Sequence, residues 1–100
     1  MIVELVFTLK EDENPYGEPF SSIVAEVDER VHPHSDSGTS FLEPRERDIC
    51  WHAEDLTEVD LLVNTIKSVL DSQGSNIKAE VRVRTSIDML ESPIWKESHD

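Results

Sequence analysis

Cys50 and His52 are the two side chains of this sequence whose types and spacing best suit catalysis. They lie in the stretch from Asp48 to Ala53, where apolar and polar residues alternate with the period of a β-strand. Residues two apart on a strand lie on the same side of the sheet, so a thiolate and an imidazole there could act as a nucleophile and its base. The pair is therefore one candidate reactive site.

A metal site would need more ligands than this pair supplies. His32 and His34 form an H-x-H pair, but they belong to a separate turn-rich segment, residues 32 to 38. They would become ligands beside Cys50 only if that segment folded over the strand. We favour a partly buried thiol with surface imidazoles, and we predict no metal and no cofactor.

A second candidate site is the acidic segment from Lys10 to Pro19, KEDENPYGEP. Its candidate binding residues are four acids around one aromatic ring: Glu11, Asp12, Glu13, Tyr16 and Glu18. Asn-Pro and Gly are typical of a loop, and a solvated loop gives its carboxylates similar environments, which does not suit acid and base catalysis. Such a loop either keeps the protein soluble or docks against the lysines and arginines of a basic partner.

Trp95 is the remaining candidate binding residue. It follows the last predicted strand, beside Ile94, and an exposed tryptophan is a common interface anchor. The alternative is a ring that folds back over one edge of the core. Trp51, by contrast, alternates in phase with Ile49 and Ala53, and we expect it to be buried.

The charge balance restricts the partners. The 100 residues include 9 Lys and Arg against 22 Asp and Glu, a formal charge of −13. Such a negative field repels phosphate backbones and anionic lipids, so we expect neither nucleic acid nor a membrane as partner, and a basic protein is the natural complement. A single cysteine and no recognisable signal peptide or membrane span predict a cytoplasmic protein.

The helix that follows the candidate reactive pair is the clearest predicted element. From Asp55 to Gly74, apolar residues recur at steps of three and four: Leu56, Val59, Leu62, Val63, Ile66, Val69 and Leu70. That spacing forms one apolar stripe of a helix. We predict Thr57 as the N-cap, Leu56 and Leu61 as a hydrophobic staple, and Gly74 as the residue that ends the helix.

Alternation predicts the strands that surround this helix: Val3 to Leu9, Thr39 to Leu42, Asp48 to Ala53 and Ile77 to Arg84. Residues 20 to 31 fit either a strand or a helix. Their β-branched residues favour a strand, whereas a cap at Ser21 or Ser22, charges along one arc and a helix end before Pro33 favour a helix. We favour the helix.

The predicted order is therefore strand, helix, strand, strand, helix, strand. Two split βαβ halves of this kind predict a ferredoxin-like βαββαβ sandwich, an α+β fold with a four-stranded antiparallel sheet and two helices on one face. We expect residues 1 to 87 to form this single α+β domain and residues 88 to 100 to form a polar C-terminal tail. Pro93 argues against a regular element in the tail, so we expect a packed or partner-bound extension rather than a fifth central strand. With residues 20 to 31 as a strand, the fold becomes a sheet-rich domain with one helix.

These patterns favour a non-catalytic acidic module that binds a basic protein partner, in the manner of an inhibitor or immunity protein of a nuclease. One alternative is a small-molecule-binding or enzymatic domain that uses the open sheet face with Cys50 and His52. Another is a homodimer through that face, in which arginines of one copy meet acids of the other. The predicted face carries charged and small groups rather than the stacking aromatics of RNA-binding domains: Glu4, Val6, Thr8, Asp48, Glu80, Arg82 and Arg84.

Overall fold

The computed structural model describes residues 1–73 and 77–84 and the backbone of residues 95–99. The elements follow in the order β1 (Ile2–Thr8), α1 (Phe20–Arg30), β2 (Asp36–Ser40), β3 (Glu46–His52), α2 (Leu56–Ser72), β4 (Lys78–Arg84) and β5 (Trp95–His99). The strands form one sheet in the order β2-β3-β1-β4-β5, and every neighbouring pair is antiparallel. The predicted α+β class, the antiparallel arrangement of the first four strands and both helices are confirmed.

A fifth strand extends the sheet beyond the four that were predicted. β5 pairs with β4 at the edge of the sheet, where Trp95 lies opposite Val83. The expectation that Pro93 argues against a regular element was wrong for Trp95–His99, although the added strand lies at the edge of the sheet and not at its centre. A proline in the sequence before an edge strand is compatible with that strand. The predicted domain boundary after residue 87 lies outside the described residues.

One hydrophobic core lies between the sheet and the two helices. Alternate residues of the central strands face it, together with the apolar stripes of α1 and α2, and its members without solvent exposure include Val3, Leu5, Phe7, Ile23, Val27, Ile49, Trp51, Leu62, Ile66, Val69 and Leu70. Because side chains alternate across a strand, the residues between them form the opposite, open face of the sheet. That face carries the first candidate site.

The start of α2 differs from the prediction. The N-cap is Asp55 rather than Thr57, and the Asp55 carboxylate accepts a hydrogen bond of 2.9 Å from the backbone N–H of Glu58. An aspartate satisfies an otherwise unpaired donor and also places a negative charge at the positive end of the helix. Leu56 and Leu61 are 65% and 51% exposed, so the predicted staple is wrong and Leu56 is not part of the buried stripe.

The remaining predictions for α2 have mixed outcomes. The other six residues of the predicted stripe are buried. The helix ends at Ser72 with Gln73 as its C-cap. Gly74, the predicted end, lies outside the described residues.

Asp55→Ala is expected to lower the free energy of unfolding by about 1 kcal/mol, because it removes the carboxylate that caps the backbone N–H of Glu58. The matched control is Thr57→Ala in the first turn, which should change the free energy by less than about 0.5 kcal/mol. Urea unfolding followed by circular dichroism measures both. Equal losses for the two variants would contradict the assignment of Asp55 as the cap.

α1 forms where it was favoured, but without the predicted serine cap. Its N-cap is Pro19, which makes no side-chain hydrogen bond. Ser21 and Ser22 lie in the first turn, where their hydroxyls donate to the backbone oxygen of Tyr16 and the carboxylate of Glu18. These serines therefore fasten the preceding loop to the helix.

β2 begins and ends earlier than predicted. It takes in Asp36 and Gly38 from the segment interpreted as a turn-rich linker, and it ends at Ser40. Register explains the shift, because Asp36 pairs with Cys50 and Ser40 pairs with Glu46, the first residue of β3. The apolar residues after Ser40 pair with no strand in the described part of the chain and lie in the loop between β2 and β3.

Candidate functional site

The open sheet face carries a group of charged side chains around one cysteine. We call it the open-face cluster and define it as Glu4, Asp48, Cys50, Arg82 and Arg84. Glu4 of the central strand β1 pairs with Cys50 on one side and with Arg82 on the other. The alternation of the three strands therefore brings these residues together, as the sequence predicts.

Glu4 is the most enclosed acid of the open-face cluster, with only 9% of its surface exposed. Its carboxylate oxygens lie 3.8 Å from Arg82 and 3.7 Å from Arg84. Burial raises the pKa of Glu4, Arg84 opposes that rise, and the neighbouring Asp48 adds to it. The two arginines therefore only partly offset the cost of placing this carboxylate in the sheet.

The environment of Cys50 does not favour a thiolate. The thiol is buried, its Sγ lies 3.8 Å from a carboxylate oxygen of Glu4, and Arg84 approaches Sγ to 3.9 Å. Burial and the nearby carboxylates of Glu4 and Asp48 raise the pKa of Cys50 to about 11. His52 lies on the same side of β3 but is exposed. The polar groups beside the sulfur are those of Glu4 and Arg84. A thiol in this setting stays protonated at neutral pH.

The open-face cluster also contains a set of ligand-type atoms. One oxygen each from Glu4 and Asp48 and the Cys50 sulfur lie within 4.8 Å of one another, and no other such group of three occurs within residues 1–73 and 77–84. Arg82 and Arg84 lie against the same glutamate. The arrangement therefore suits charge compensation within the chain better than it suits a divalent cation.

His32 and His34 are held by helix residues rather than by Cys50. Nδ1 of His34 lies 2.8 Å from the Asp28 carboxylate, which also accepts a 2.9 Å hydrogen bond from the indole N–H of Trp51. Nε2 of His32 lies 3.5 Å from Glu58. Trp51 is fully buried, as predicted. These contacts tie the segment after α1 to both helices and to β3.

The acidic loop, residues 10–19, is fixed to the rest of the protein by two arginines. Arg45 donates hydrogen bonds to three backbone oxygens of the loop, those of Lys10, Glu11 and Glu13. Arg47 is 8% exposed, donates to the backbone oxygen of Pro15 at 2.8 Å, and lies 5.3 Å from the centre of the Tyr16 ring. A loop with a polar sequence thus has a defined shape.

The acids of the loop fall into two groups. Glu13 accepts a hydrogen bond from the backbone N–H of Lys10, and Glu18 accepts one from Ser22. Glu11 and Asp12 are exposed, and their side chains make no hydrogen bond or ion pair within the described part of the chain. These two carboxylates are therefore available to a partner.

Three exposed apolar side chains lie on the loops at the same end of the sheet, and we call them the apolar patch: Tyr16, Phe41 and Leu42, which are 59%, 64% and 80% exposed. The Tyr16 hydroxyl lies 2.8 Å from the Thr39 hydroxyl in β2. Arg45, which holds the acidic loop, also lies 5.9 Å from the centre of the Phe41 ring. The acidic loop and the β2–β3 loop therefore form one continuous surface.

Sequence reasoning found Tyr16 but missed Phe41 and Leu42, because both were assigned to a strand. The signal that could have found them is their position directly before Glu43 and Pro44, residues typical of a turn. Trp95 belongs to the edge strand β5, and its side chain lies outside what the structure describes.

Arg47→Met is expected to loosen the acidic loop, because methionine keeps part of the apolar stem but loses the bond to Pro15 and the contact with Tyr16. Amide hydrogen exchange of residues 11–17 should become faster. The matched control is Arg30→Met on α1, which removes an exposed i,i+4 pair with Glu26 and should leave exchange in the loop unchanged. Unchanged exchange in Arg47→Met would show that the loop does not depend on this arginine.

Within the described ranges, no helix is long and apolar enough to cross a membrane. Comparison with models of protein families, with curated proteins and with solved structures gives no match for this chain.

Proposed function

We propose that this protein is a non-catalytic binding module that engages a basic protein partner through the acidic loop and the apolar patch. The observation that carries the proposal is the position of the exposed apolar anchors Tyr16, Phe41 and Leu42 beside two exposed carboxylates. These belong to Glu11 and Asp12, which have no partner within the described residues. Arg45 and Arg47 hold both loops in place before any partner arrives.

Interface energetics support this combination. Aromatic and large apolar side chains supply most of the affinity at the centre of an interface, and charged groups around them supply steering and specificity. A loop that is already ordered loses less conformational entropy on binding. The formal charge of −13 adds a long-range attraction towards cationic surfaces. A nuclease, whose cleft is cationic because it binds nucleic acid, is one class of partner with the required chemistry.

The local chemistry of the open-face cluster supports the non-catalytic part of the proposal. A thiol whose pKa is raised to about 11 is a weak nucleophile at neutral pH. We also propose a cytoplasmic location, because the buried free thiol of Cys50 is the state that a reducing compartment preserves.

We further infer that the domain has a ferredoxin-like fold. In the order β2-β3-β1-β4, strand β3 lies between the two strands joined through α1, and β1 lies between the two strands joined through α2. Two interleaved βαβ halves of this kind support the assignment. β5 is then an addition at the β4 edge.

A small-molecule-binding or enzymatic domain is the second candidate, and one observation favours it. The open sheet face has two shallow cavities of about 320 and 300 Å³, and the second is lined by Cys50, Ser35 and Arg84. A ligand there would shield Cys50, so a screen for metabolites that slow alkylation of Cys50 tests this function without reference to the loops. His52 would be the partner of Cys50 in any catalytic version.

A homodimer through the open face is supported less well. Its proposed contacts need arginines that are free to reach another copy, yet Arg82 lies 2.7 Å from Glu80 and Arg84 lies 3.7 Å from Glu4 of the same chain. Sedimentation velocity over a concentration series measures the association state directly.

The test of the proposed function is affinity capture from cell extract with wild-type protein and paired variants. Glu11→Gln with Asp12→Asn removes two charges from the acidic loop, and Glu29→Gln with Asp60→Asn removes two exposed charges from the helices. Both double variants change the net charge equally. We expect a basic protein that wild type and the helix variant retain, and that the loop variant loses.

A second pair of variants tests the apolar patch. Phe41→Ser with Leu42→Ser changes the patch, whereas Leu56→Ser with Leu61→Ser changes exposed leucines on α2. Retention should fall only for the patch variant, and the retained complex should weaken as salt rises. Equal retention of basic proteins by all variants, or equal loss from loop and helix variants, would contradict the proposal, because binding would then reflect net charge alone.

A further inference from the structure

No strand within the described residues pairs with the outer edge of β2. β2 is the last strand on its side of the sheet, and among the described residues it pairs only with β3. A strand at an edge has backbone N–H and C=O groups directed away from the sheet, and proteins usually protect such edges with lysine, proline or a bulge. The sequence of β2, Asp36–Ser40, contains neither lysine nor proline. The backbone N–H of Ser37 donates to the Asp36 carboxylate of the same strand at 2.8 Å. The other backbone groups directed away from the sheet are available for strand addition.

Gly38 makes a notch in this edge on the open sheet face. A Cβ atom at Gly38 would lie 2.8 Å from Oδ1 of Asp48, so the missing side chain leaves room for that carboxylate. A residue of an added strand opposite Gly38 would meet no side chain on β2. A long side chain at that position could extend across the notch towards β3.

The cavity beyond the notch has an excess of negative charge. It has a volume of about 320 Å³, and its charged lining residues are Glu4, Glu46, Asp48 and Arg82. Arg82, the one guanidinium among them, lies 3.8 Å from Glu4 within the lining and 2.7 Å from Glu80 outside it, which leaves Glu46 and Asp48 without a cation among the lining residues. A side chain that enters over Gly38 is therefore most stable there as a cation.

The charge of the added strand decides whether it can pair with the edge of β2. A second copy of this chain would present its own β2, which has no lysine or arginine and carries Asp36, and each copy has a formal charge of −13. Two copies would repel each other at this edge. A basic extended segment supplies the missing cation and is attracted by the whole molecule.

We propose that β2 accepts an extended basic segment of a partner protein as an additional strand, and that a lysine or arginine opposite Gly38 reaches the carboxylates of Glu46 and Asp48. This inference rests on the proposed function, because it specifies how the basic partner binds. Backbone pairing supplies affinity, and the alternate side chains supply selectivity. The apolar patch lies beside the same edge, since Tyr16 contacts Thr39 and Phe41 follows β2 directly.

The test uses a short blocked peptide of alternating lysine and valine as the probe. At low salt, NMR should show shifted and exchange-protected amides in Ser37–Ser40 of the full chain. A matched peptide with N-methylated valines keeps every charge but loses ladder donors, and it should bind at least about tenfold more weakly. A peptide of alternating glutamate and valine should not bind.

Variants of the protein test whether a lysine of the peptide lies opposite Gly38. Gly38→Val blocks the notch and displaces the Asp48 carboxylate, because its Cβ would lie 2.8 Å from Oδ1 of Asp48. It should weaken binding of the lysine peptide by about tenfold, whereas Ser37→Val, on the opposite face of the same strand, should not. Glu46→Gln leaves Gly38 unchanged but removes one of the two carboxylates that the lysine should reach, so it should also weaken binding. This variant keeps the proposal testable if Gly38→Val folds poorly.

Two outcomes would overturn the inference. In the first, the lysine peptide shifts NMR signals only of the acidic loop and binds Gly38→Val as tightly as wild type. Strand addition to β2 would then be wrong, while recognition of a basic partner would stand. The peptide could also fail to bind at low salt, which removes the β2 site, and the capture experiment with loop variants then decides the proposed function separately.

Discussion

Trp51→Ala is expected to lower the free energy of unfolding by about 3–5 kcal/mol, the usual cost of removing a large buried aromatic side chain. Trp51 has no solvent exposure, and its indole N–H donates to Asp28 at 2.9 Å. The truncation leaves a cavity beneath the helices and takes one donor away from a carboxylate that also holds His34. Packing and hydrogen bonding are therefore lost together.

Trp51→Phe separates the two contributions. Phenylalanine fills most of the space but cannot donate to Asp28, so we expect a smaller loss of about 1–3 kcal/mol. Urea unfolding followed by far-ultraviolet circular dichroism applies to both variants, and His52→Ala on the exposed side of the same strand is the control, with an expected change below about 0.5 kcal/mol. A Trp51→Ala protein as stable as the control would show that this part of the core is not packed as described.

Alkaline pH is expected to destabilise the protein through Cys50. The thiol has a pKa of about 11 in the folded state against an ordinary value of 9.0. A group whose pKa is raised on folding contributes its full stability below the unfolded value, and that contribution is lost as pH rises through the folded value. The loss should therefore run from pH 9 to pH 11 and reach about 3 kcal/mol, since each pH unit corresponds to about 1.4 kcal/mol.

Comparison of wild type with Cys50→Ser and Cys50→Ala isolates this effect, because all other titrating groups are shared. Both variants should lose less stability than wild type between pH 9 and pH 11. Alkylation by iodoacetamide provides a second measurement: at pH 8 the native thiolate fraction should be about 100-fold below that of the unfolded chain. Parallel stability profiles for the three proteins, or native alkylation as fast as in urea, would contradict the assignment.

Periodic patterns predicted those parts of the fold in which burial alone decides the structure. Val3, Leu5 and Phe7 alternate because one face of β1 meets the helices, and Leu62, Ile66 and Val69 recur because one side of α2 meets the sheet. Helix ends and short strands depend on single hydrogen bonds and on partner register. Thr57 was predicted as the cap of α2 from its residue type, whereas the carboxylate that accepts from the backbone N–H of Glu58 belongs to Asp55.

The sequence predicted which residues of the candidate sites share a sheet face or a loop, but not how deeply they are buried or which distant residues they contact. Alternation placed Glu4, Cys50 and Arg82 on one face, but the raised pKa of Cys50 depends on burial that spacing does not reveal. Tyr16 was recognised within an acidic loop, whereas the role of Arg47 beneath it depends on a contact between residues far apart in the chain. Long-range contacts of this kind leave no local signal in one sequence.

The central position of β1 has a consequence for how the chain reaches its native state. Ile2 pairs with His52 on one side and with Arg84 on the other, so the middle of the sheet joins residues from opposite ends of the described sequence. During synthesis on a ribosome, β1 emerges before β3 and β4 are made. Its apolar side chains therefore stay unpaired until both strands have followed. Folding should therefore be slow for a domain of this size, and nascent chains that stop before β4 should depend on chaperones to remain unaggregated.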